Sequence, residues 1–422
     1  MPRPVLLYVA SRWPWPIRTG RQRMIDQAIR FAGATHEVHL AVHSTSDLPA
    51  APDGLVASVV PLPAPSAPEA LLNLLRGRSA TLQDSLFTSA AGRSAFDEVV
   101  GRLQPDVAVF DMARMAGYGL GRLSKHGAPR TSLSIRCRQI VDLDDLLSNR
   151  YAEMAKGRPG ALLGALGDRM PRAIQISARV LPTLLAGIES RLMIRRENAL
   201  TGLFDAVSLV SKKEAEELSR RTGATNVFAT PPAIDKRAAP MRWDGMPPRF
   251  VFLGAAAYGP NSAALRKLDA IAERLARRGR PVTFEAYGEP DLKLRLRHIS
   301  VLGYLPDLDR ALGPGAVLVA PILGGTGVKT KVLEAMSRGV PVITTAKGVE
   351  GLAIEPGIHA VITEGVNGFA DAVEAALDNP RHIERIGQAG YRYAVARHDP
   401  DLVAEAFQAL LRGGSAEAAA AT

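Results

Sequence analysis

The sequence lacks several features that define common protein classes. It has one cysteine, Cys137, in 422 residues, so an intrachain disulfide framework and a cysteine-based zinc site are both excluded. A reducing cytoplasm is the expected compartment. No stretch reaches the roughly 20 apolar residues of a membrane-spanning helix, and charges follow the apolar run at the start, which favours a first strand over a signal peptide. We expect a cytoplasmic protein, soluble or bound peripherally at the inner face of the membrane.

Two common phosphate-binding motifs are also missing. The dinucleotide fingerprint G-x-G-x-x-G follows none of the predicted strands, which disfavours a nicotinamide or flavin dehydrogenase. A Walker loop needs a lysine directly after its second glycine, whereas Val328 separates Gly327 from Lys329. None of the eight histidines has a spacing that indicates a metal or catalytic site.

The chain has a formal charge of +10, which indicates an anionic partner such as nucleic acid, a phosphorylated small molecule or an anionic lipid surface. About half of the excess lies between Arg150 and Asn198, where nine basic residues stand against four acidic ones. Aromatic residues make up only 5% of the chain, and no nucleic-acid-binding signature is present. The net charge is therefore the only feature of the sequence that favours nucleic-acid binding. Because no motif supports it, we expect no nucleic-acid partner.

Apolar runs rich in Val, Ile and Leu recur along the chain, each followed by a turn and a segment of helical periodicity. This alternation is typical of parallel sheets with helices on both faces. The runs are PVLLYVA, HEVHLAV, PDVAVFD, RQIVDLDD and DAVSLVS in the first half, and RFVFLGA, PVTFEAYG, ISVLGY, AVLVAPI, VPVITT and HAVITE in the second. The sequence predicts an α/β protein with two doubly wound units in series.

Five prolines between Pro231 and Pro248, with no apolar period, mark a linker. Asp399 and Pro400 then provide an N-cap and a first helical residue for a terminal helix. We predict an N-terminal domain over residues 1–237, a linker over 238–248 and a C-terminal domain over 249–398. The terminal helix covers 399–412, and the low-complexity tail, 413–422, is predicted to be disordered.

Residues 151–200 interrupt the alternation of strands and helices. Arginines and leucines alternate there at spacings near three and four, which predicts one or two basic amphipathic helices. Two interpretations remain open. The segment is either a helical insertion packed on the first domain with solvated arginines, or a surface that contacts an anionic membrane or a lipid-linked acceptor.

The stretch GGTGVKTKVLEAMSRGVPVITT, from Gly324 to Thr345, has the strongest functional pattern. Glycines directly after a strand allow backbone N–H groups to converge on a phosphate, and a following helix adds its positive end. We predict the turn at Gly324, Gly325, Thr326 and Gly327, with the helix from Val328 onward. The basic residues Lys329 and Lys331 fit the helix dipole poorly unless an anion is bound.

Glu334 lies one turn into the same helix and allows two interpretations. It is a surface carboxylate paired with Lys331 at i,i+3, or it accepts hydrogen bonds from sugar hydroxyls, as carboxylates in nucleotide-binding sheets do with ribose. Spacing alone does not decide between them.

These residues resemble the retaining glycosyltransferases of the GT-B fold, specifically the family 4 group. The most specific stretch is LGGTGVKTKVLEAMSRGVPVITTAKGVEGL, supported by LGYLPDLDRAL, FLGAAAYGPN and SKKEAEEL…PPAID. The resemblance covers most of residues 249–398 and, more weakly, 4–45 and 205–235. It implies two Rossmann-like domains facing across a cleft, with a terminal helix that crosses back to the first domain.

The resemblance also implies roles for particular residues. The nucleotide-sugar donor would bind the second domain, with Lys329, Lys331 and the glycine turn near its diphosphate, Glu334 at the ribose, and Tyr304 and Leu305 at the base. The first domain would bind a lipid-linked or glycan acceptor. No metal and no cofactor are implied, because lysines and helix N–H groups would neutralise the leaving diphosphate.

The chain departs from the family pattern at two places. Thr326 stands where many members have a glutamate, which makes the chain similar to a glycine-turn variant of the family. Ala255 and Ala256 stand where an arginine is common. A catalytically silent nucleotide-sugar-binding protein is therefore an alternative to an active enzyme, and nucleic-acid binding is a further one.

Candidate residues in the first domain follow its strands. Thr19, Gly20 and Arg21 open a basic helix after the first strand, where the family has a phosphate-facing loop. The resemblance makes them candidates to contact the donor phosphate or the acceptor across the cleft, although a solvated helix start is equally consistent with the sequence. Asp111 and Arg114 end the strand PDVAVFD at the edge of the sheet where ligands gather. They are candidates for catalysis, and no general base is assigned.

Overall fold

The computed structural model describes residues 2–44, 48–75, 81–120, 122–123, 129–130, 132–134, 136–156, 181–235, 239–241, 243, 245–291 and 293–414. The chain divides into two compact units. Unit 1 contains Met1–Ser148, Ile188–Pro232 and Asp401–Thr422. Unit 2 contains Asn149–Gly187 and Ala233–Pro400.

All five apolar runs of the first half form strands. The strands are β1 Val5–Ala10, β2 Glu37–Ser44, β3 Ser58–Pro63, β4 Val107–Asp111, β5 Arg122–Leu123, β6 Pro129–Arg130, β7 Arg138–Asp144, β8 Ala206–Leu209 and β9 Val227–Ala229. The helices are α1 Gly20–Gly33, α2 Ala67–Leu75, α3 Leu82–Phe87, α4 Ala90–Leu103, α5 Ala116–Leu120, α6 Leu147–Ala155, α7 Leu181–Leu203 and α8 Lys212–Thr222.

Unit 1 is built on a seven-stranded parallel sheet in the order β3-β2-β1-β4-β7-β8-β9. Helix α1 begins where predicted, because Thr19 and Gln22 form a reciprocal capping box. Its apolar residues, at spacings of three and four, pack on β1 and β2 in one core. The apolar runs do not predict strands β3 and β9. Strand β3 is an edge strand containing two prolines, and β9 has only three residues.

The second half contains the remaining elements. The strands are β10 Arg249–Leu253, β11 Phe284–Tyr287, β12 Ile299–Gly303, β13 Ala316–Ala320, β14 Val342–Thr344 and β15 Val361–Ile362. The helices are α9 Gly259–Arg277, α10 Leu308–Ala311, α11 Thr330–Met336, α12 Gly365–Asp378, α13 Pro380–His398 and α14 Pro400–Arg412, with a 3-10 turn over Ala346–Val349.

Unit 2 is built on a six-stranded parallel sheet in the order β12-β11-β10-β13-β14-β15. Apolar clusters cover both faces of this sheet, since alternate residues of β10 and β13 belong to different clusters. All six strands coincide with predicted runs. The predicted α/β class and the two Rossmann-like units are thus confirmed.

Helix α14 begins at Pro400, as the Asp-Pro pair predicts, and belongs to unit 1 together with the first strands. Phe407, Leu410 and Leu411 pack into the core of that unit. Gln408 is hydrogen-bonded to Thr35 and to the carbonyl of Phe31. The helix therefore completes the core of unit 1 from the far end of the chain.

The predicted basic segment, 151–200, is described only at its two ends, by α6 and α7; residues 157–180 lie outside the described residues. Most of the predicted tail also lies outside them, as do five residues of or next to the predicted linker. Among the described helices, none is both long enough and apolar enough to cross a membrane.

Candidate functional site

The carboxyl edge of the second sheet contains the topological switch point of unit 2. From β10 the chain runs outward through β11 and β12, and then returns to place β13 on the other side of β10. Ligands of open parallel sheets bind in the crevice that such a reversal creates. The loop after β10 and the glycine turn after β13 flank this crevice.

Two threonines of the β14 end hold the segment that follows β13. Thr344 Oγ1 donates to the carbonyl of Ala320, and Thr345 Oγ1 donates to the carbonyl of Ile322, each at 2.6 Å. Both hydroxyls are buried. The carbonyl of Ala320 also accepts from the backbone N–H of Ile322 at 2.8 Å, so the hydroxyl of Thr344 adds a second hydrogen bond to it. The two hydroxyls thus fix the direction in which the turn leaves the strand.

The glycine turn adopts the conformation that its composition allows. Gly325 and Gly327 have φ angles of 98° and 75°, in the left-handed region that favours glycine. Lys329 Nζ donates to the carbonyls of Gly325, Thr326 and Gly327 at 3.0, 3.2 and 2.5 Å. This lysine therefore stabilises the turn itself.

The helix after the turn begins at Thr330, so the predicted start at Val328 is wrong by two residues. Lys329 is the N-cap residue, with an extended backbone at φ −86° and ψ 95°. The reason is local. The positive φ of Gly327 and the contacts of the Lys329 side chain with the turn keep Val328 and Lys329 out of the helix.

Lys331 occupies the crevice between the two loops. Its ammonium donates to Asn261 Oδ1 at 2.8 Å and lies 4.5 Å from the centroid of the Phe252 ring. Among the described residues no carboxylate pairs with it. Burial and the charge of Lys329 lower the pKa of Lys331 to about 7. A half-buried ammonium that, within the described residues, is held by an amide oxygen and a ring face is a strong receptor for an anion.

Asn261 connects Lys331 to the loop after β10. Its amide nitrogen donates to the carbonyl of Ala255 at 3.0 Å while its oxygen accepts from Lys331. The side chain packs so closely on Gly254 that a Cβ there would overlap it. A Cβ added to Gly288, in the loop after β11, would likewise overlap the carbonyl of Gly254. The two glycines thus allow the Asn261 side chain, the loop after β10 and the loop after β11 to lie close together at the switch point.

Glu334 is buried, with 6% of its surface exposed, and pairs with Arg338 at 2.5 Å. The interpretation as a surface carboxylate paired with Lys331 is therefore wrong. Arg338, two residues beyond the end of α11, also pairs with Asp309 of α10 at 2.8 Å. The i,i+4 spacing of Glu334 and Arg338 is visible in the sequence, but their burial is not.

Tyr304 and Leu305 follow β12 at the same edge of the sheet. The Tyr304 side chain is 61% exposed, and Leu305 is half-buried against the core of the unit. Tyr258 and Leu323, in the loops after β10 and β13, are also exposed. The edge therefore carries several exposed apolar groups beside the lysines.

A second cluster of charges lies in unit 1, where Arg21 meets three carboxylates. Arg21 Nε donates to Asp111 Oδ1 at 2.6 Å, and its terminal nitrogens pair with Asp142 at 2.8 Å and Asp144 at 3.0 Å. Burial opposes the charge on Arg21, but the three carboxylates outweigh it and hold its pKa above the usual value. Burial likewise opposes the charge of Asp111, but Arg21 and Ser11 hold its pKa below the usual value.

The other candidates in unit 1 have structural contacts. Thr19 and Gly20 form the N-cap and first residue of α1. The Arg114 guanidinium is buried and lies 4.7 Å from the centroid of the Phe87 ring. The structure thus brings Arg21 and Asp111 together, and places Thr19 and Arg114 in separate contacts. Within the described residues, no group of His, Cys, Asp and Glu is arranged to hold a metal ion.

Residues 247–379 match the family model described as glycosyl transferases group 1. No curated protein sequence matches the chain. Sucrose-phosphate synthase from Thermosynechococcus elongatus has a similar structure, with a TM-score of 0.65 and 15% identity, over 99% of this chain and 100% of that one. HepE from Anabaena, solved with UDP and glucose, has a TM-score of 0.60 and 11% identity, over 96% and 99%.

WaaG, a glycosyltransferase involved in lipopolysaccharide biosynthesis, has a TM-score of 0.59 and 12% identity, over 97% of this chain and 100% of that one. At these identities the likeness shows the fold alone, and that fold is the pair of parallel Rossmann-like sheets found in GT-B glycosyltransferase structures. The family match supports a glycosyltransferase, and it spans the β10 loop, the glycine turn and α11.

Proposed function

We propose that the protein is a glycosyltransferase that transfers a sugar from a nucleoside diphosphate sugar to a lipid-linked or glycan acceptor, with retention at the anomeric carbon. The observation that carries the proposal is the ammonium of Lys331, which lies at the switch point of unit 2 without a carboxylate partner among the described residues. A diphosphate is the anion that fits a basic, glycine-lined crevice in a Rossmann-like sheet.

In the reaction, the bond between the anomeric carbon and the diphosphate oxygen breaks, and negative charge grows on the departing diphosphate. An ammonium that is already positioned stabilises this charge without reorganising, which is the effective form of electrostatic catalysis. Lys331 supplies that charge, and Lys329 keeps the glycine turn in shape beneath it. We propose that these cations make a divalent metal unnecessary.

The donor class is tested by thermal unfolding of the wild-type protein with UDP-, GDP- and ADP-sugars. A ligand at 100 times its dissociation constant stabilises the folded protein by about 2.7 kcal/mol, so we expect one nucleotide series to raise the melting temperature in the presence of EDTA. Slow hydrolysis of the stabilising nucleotide sugar, measured as release of its nucleoside diphosphate, distinguishes an enzyme from a silent binding protein. No stabilisation by any of the three series refutes the proposal.

We further propose that the acceptor is reached at an anionic membrane surface. Helix α7 turns its acidic residues Glu189 and Glu197 inward, with 2% and 1% of their surfaces exposed. Arg191, Ile194 and Arg195 of this helix are exposed. The outward face between Ile188 and Leu203 is therefore basic and apolar, the pattern of a helix that lies on anionic lipid.

Cosedimentation with vesicles tests this surface. We expect the wild type to bind vesicles containing anionic lipid and not neutral ones, and the R191E/R195E variant to lose that binding, since each basic residue near such a surface contributes about 1 kcal/mol. Equal binding to both vesicle types, or unchanged binding by the variant, would contradict the membrane proposal.

A further inference from the structure

Helix α6 brings a basic residue of the first half of the chain to the glycine turn. From Asn149 onward this helix belongs to unit 2. Arg150 Nε donates to Thr326 Oγ1 at 3.0 Å. One turn further along the helix, Glu153 pairs with Lys347 in the 3-10 turn after β14. The helix thus contacts the loops that follow two neighbouring strands.

The glycine turn depends on polar contacts of this kind. Apart from its chain neighbours, no atom of the described residues lies within 4 Å of a Cβ added to Gly325, so within the described part of the chain nothing packs against the turn at that point. Two residues with positive φ also leave the turn many other conformations in the absence of a restraint. Lys329 restrains the turn through its carbonyls, and Arg150 restrains it through the hydroxyl of Thr326.

Arg150 also changes the charge at the turn. The loop after β10, from Gly254 to Tyr258, has no basic side chain. A guanidinium keeps its proton at any physiological pH, unlike Lys331, whose pKa is about 7. A threonine at position 326 accepts the Arg150 hydrogen bond without neutralising its charge, whereas a carboxylate at that position would neutralise it.

We propose that Arg150 is a positioning residue of the donor site, which holds the Gly325–Gly327 turn through Thr326 in the conformation that receives the diphosphate. The inference rests on the proposed function and assigns a part of the site to α6. It predicts that removal of Arg150 weakens the binding of the diphosphate and leaves the binding of the nucleoside unchanged.

The test measures calorimetric dissociation constants for UDP, GDP and ADP and for the matching nucleosides. For the nucleotide that the wild type binds, we expect R150A to weaken diphosphate binding about tenfold or more, the value of one hydrogen bond to a charged group. T326V, which removes the acceptor of the same hydrogen bond, should give a loss of the same kind and of similar size. The R150A/T326V double variant should bind as R150A does, because both changes remove the same contact.

The matched control is E153Q, which loosens α6 from Lys347 without touching the turn. We expect E153Q to leave the ratio of diphosphate to nucleoside affinity at its wild-type value, and R150K to recover part of the R150A loss. Unchanged diphosphate binding by R150A overturns the inference. An equal loss for diphosphate and nucleoside also overturns it, since that result indicates a structural role only. If the wild type binds none of the three diphosphates, the proposed function itself fails.

Discussion

Substitution of Lys331 by methionine is expected to lower the rate of glycosyl transfer at least about a hundredfold, the cost of losing one group that stabilises developing charge. Methionine is unbranched and only one atom shorter than lysine, so it fills most of the same space beside the Phe252 ring, and the loss of rate is attributable to the missing charge. The nucleotide sugar identified by the stability screen serves as donor, and initial rates and dissociation constants are measured for both proteins.

The pH dependence gives this prediction a second readout. Burial and Lys329 lower the pKa of Lys331 to about 7 in the free protein, and a bound diphosphate favours the protonated form. The affinity of the wild type for a nucleotide sugar should therefore fall as the pH rises from about 6 to about 8. The diphosphate of a nucleotide sugar does not titrate in this range, so the change belongs to the protein. In K331M the dependence should vanish.

Lys267 provides a matched control in the same unit. It also lies over an aromatic ring, that of Phe369 at 5.2 Å, and burial lowers its pKa as well. It packs against α12, a different element from the glycine turn. K267M should retain wild-type turnover and pH dependence. Equal rates in K331M and the wild type would show that the diphosphate does not rest on Lys331.

The second large effect concerns the stability of unit 1. Substitution of Arg21 by methionine leaves the carboxylates of Asp111, Asp142 and Asp144 without their shared cation. Breaking a buried ion pair by removing one partner costs about 3 to 5 kcal/mol. We expect a loss of this size in the free energy of unfolding at pH 7, followed by tryptophan fluorescence in urea, since Trp13 and Trp15 belong to unit 1.

The sign of the pH effect follows from the carboxylates. In the wild type Arg21 holds the pKa of Asp111 below its usual value, so this stabilisation is present above the unfolded pKa and is lost as the pH falls. In R21M the buried carboxyl of Asp111 loses the charge that lowers its pKa and takes up a proton more readily, which removes part of the penalty. The difference between the two proteins should therefore be largest at neutral pH and shrink toward pH 4.

Arg30, on the same helix α1, offers the control for this substitution. Its side chain is 56% exposed and pairs with Asp26 at i,i+4. R30M should cost less than about 1 kcal/mol, because exposed ion pairs contribute little. Similar losses in R21M and R30M, or a difference that does not change with pH, would contradict the role of Arg21 as the charge that balances the cluster.

The sequence predicts the two sheets because their central strands are continuous apolar runs, as buried parallel strands must be. Strands β3 and β9 are not predictable in this way, since an edge strand needs no such run. The sequence also predicts the glycine turn, because Gly325 and Gly327 occupy conformations that few other residues adopt. These features depend on local chemistry.

The partners of the candidate residues depend on tertiary structure and could not be read from spacing. Asn261 lies 70 residues from Lys331, and Arg150 lies 176 residues from Thr326. The helix start makes Arg21 a candidate to contact the donor phosphate or the acceptor, or a solvated residue, whereas its contacts with Asp142 and Asp144 span more than 120 residues. Helical spacing does offer the Glu334–Arg338 pair, but it does not reveal which face of α11 is buried.

The most direct test of the account is a crystal structure of the protein with the nucleoside diphosphate that stabilises it. The account predicts that phosphate oxygens lie within hydrogen-bond distance of Lys331 Nζ, above the Gly325–Gly327 turn and beside Asn261. A diphosphate bound elsewhere in the chain, with the Lys331 ammonium still engaged only by Asn261 and Phe252, would contradict it.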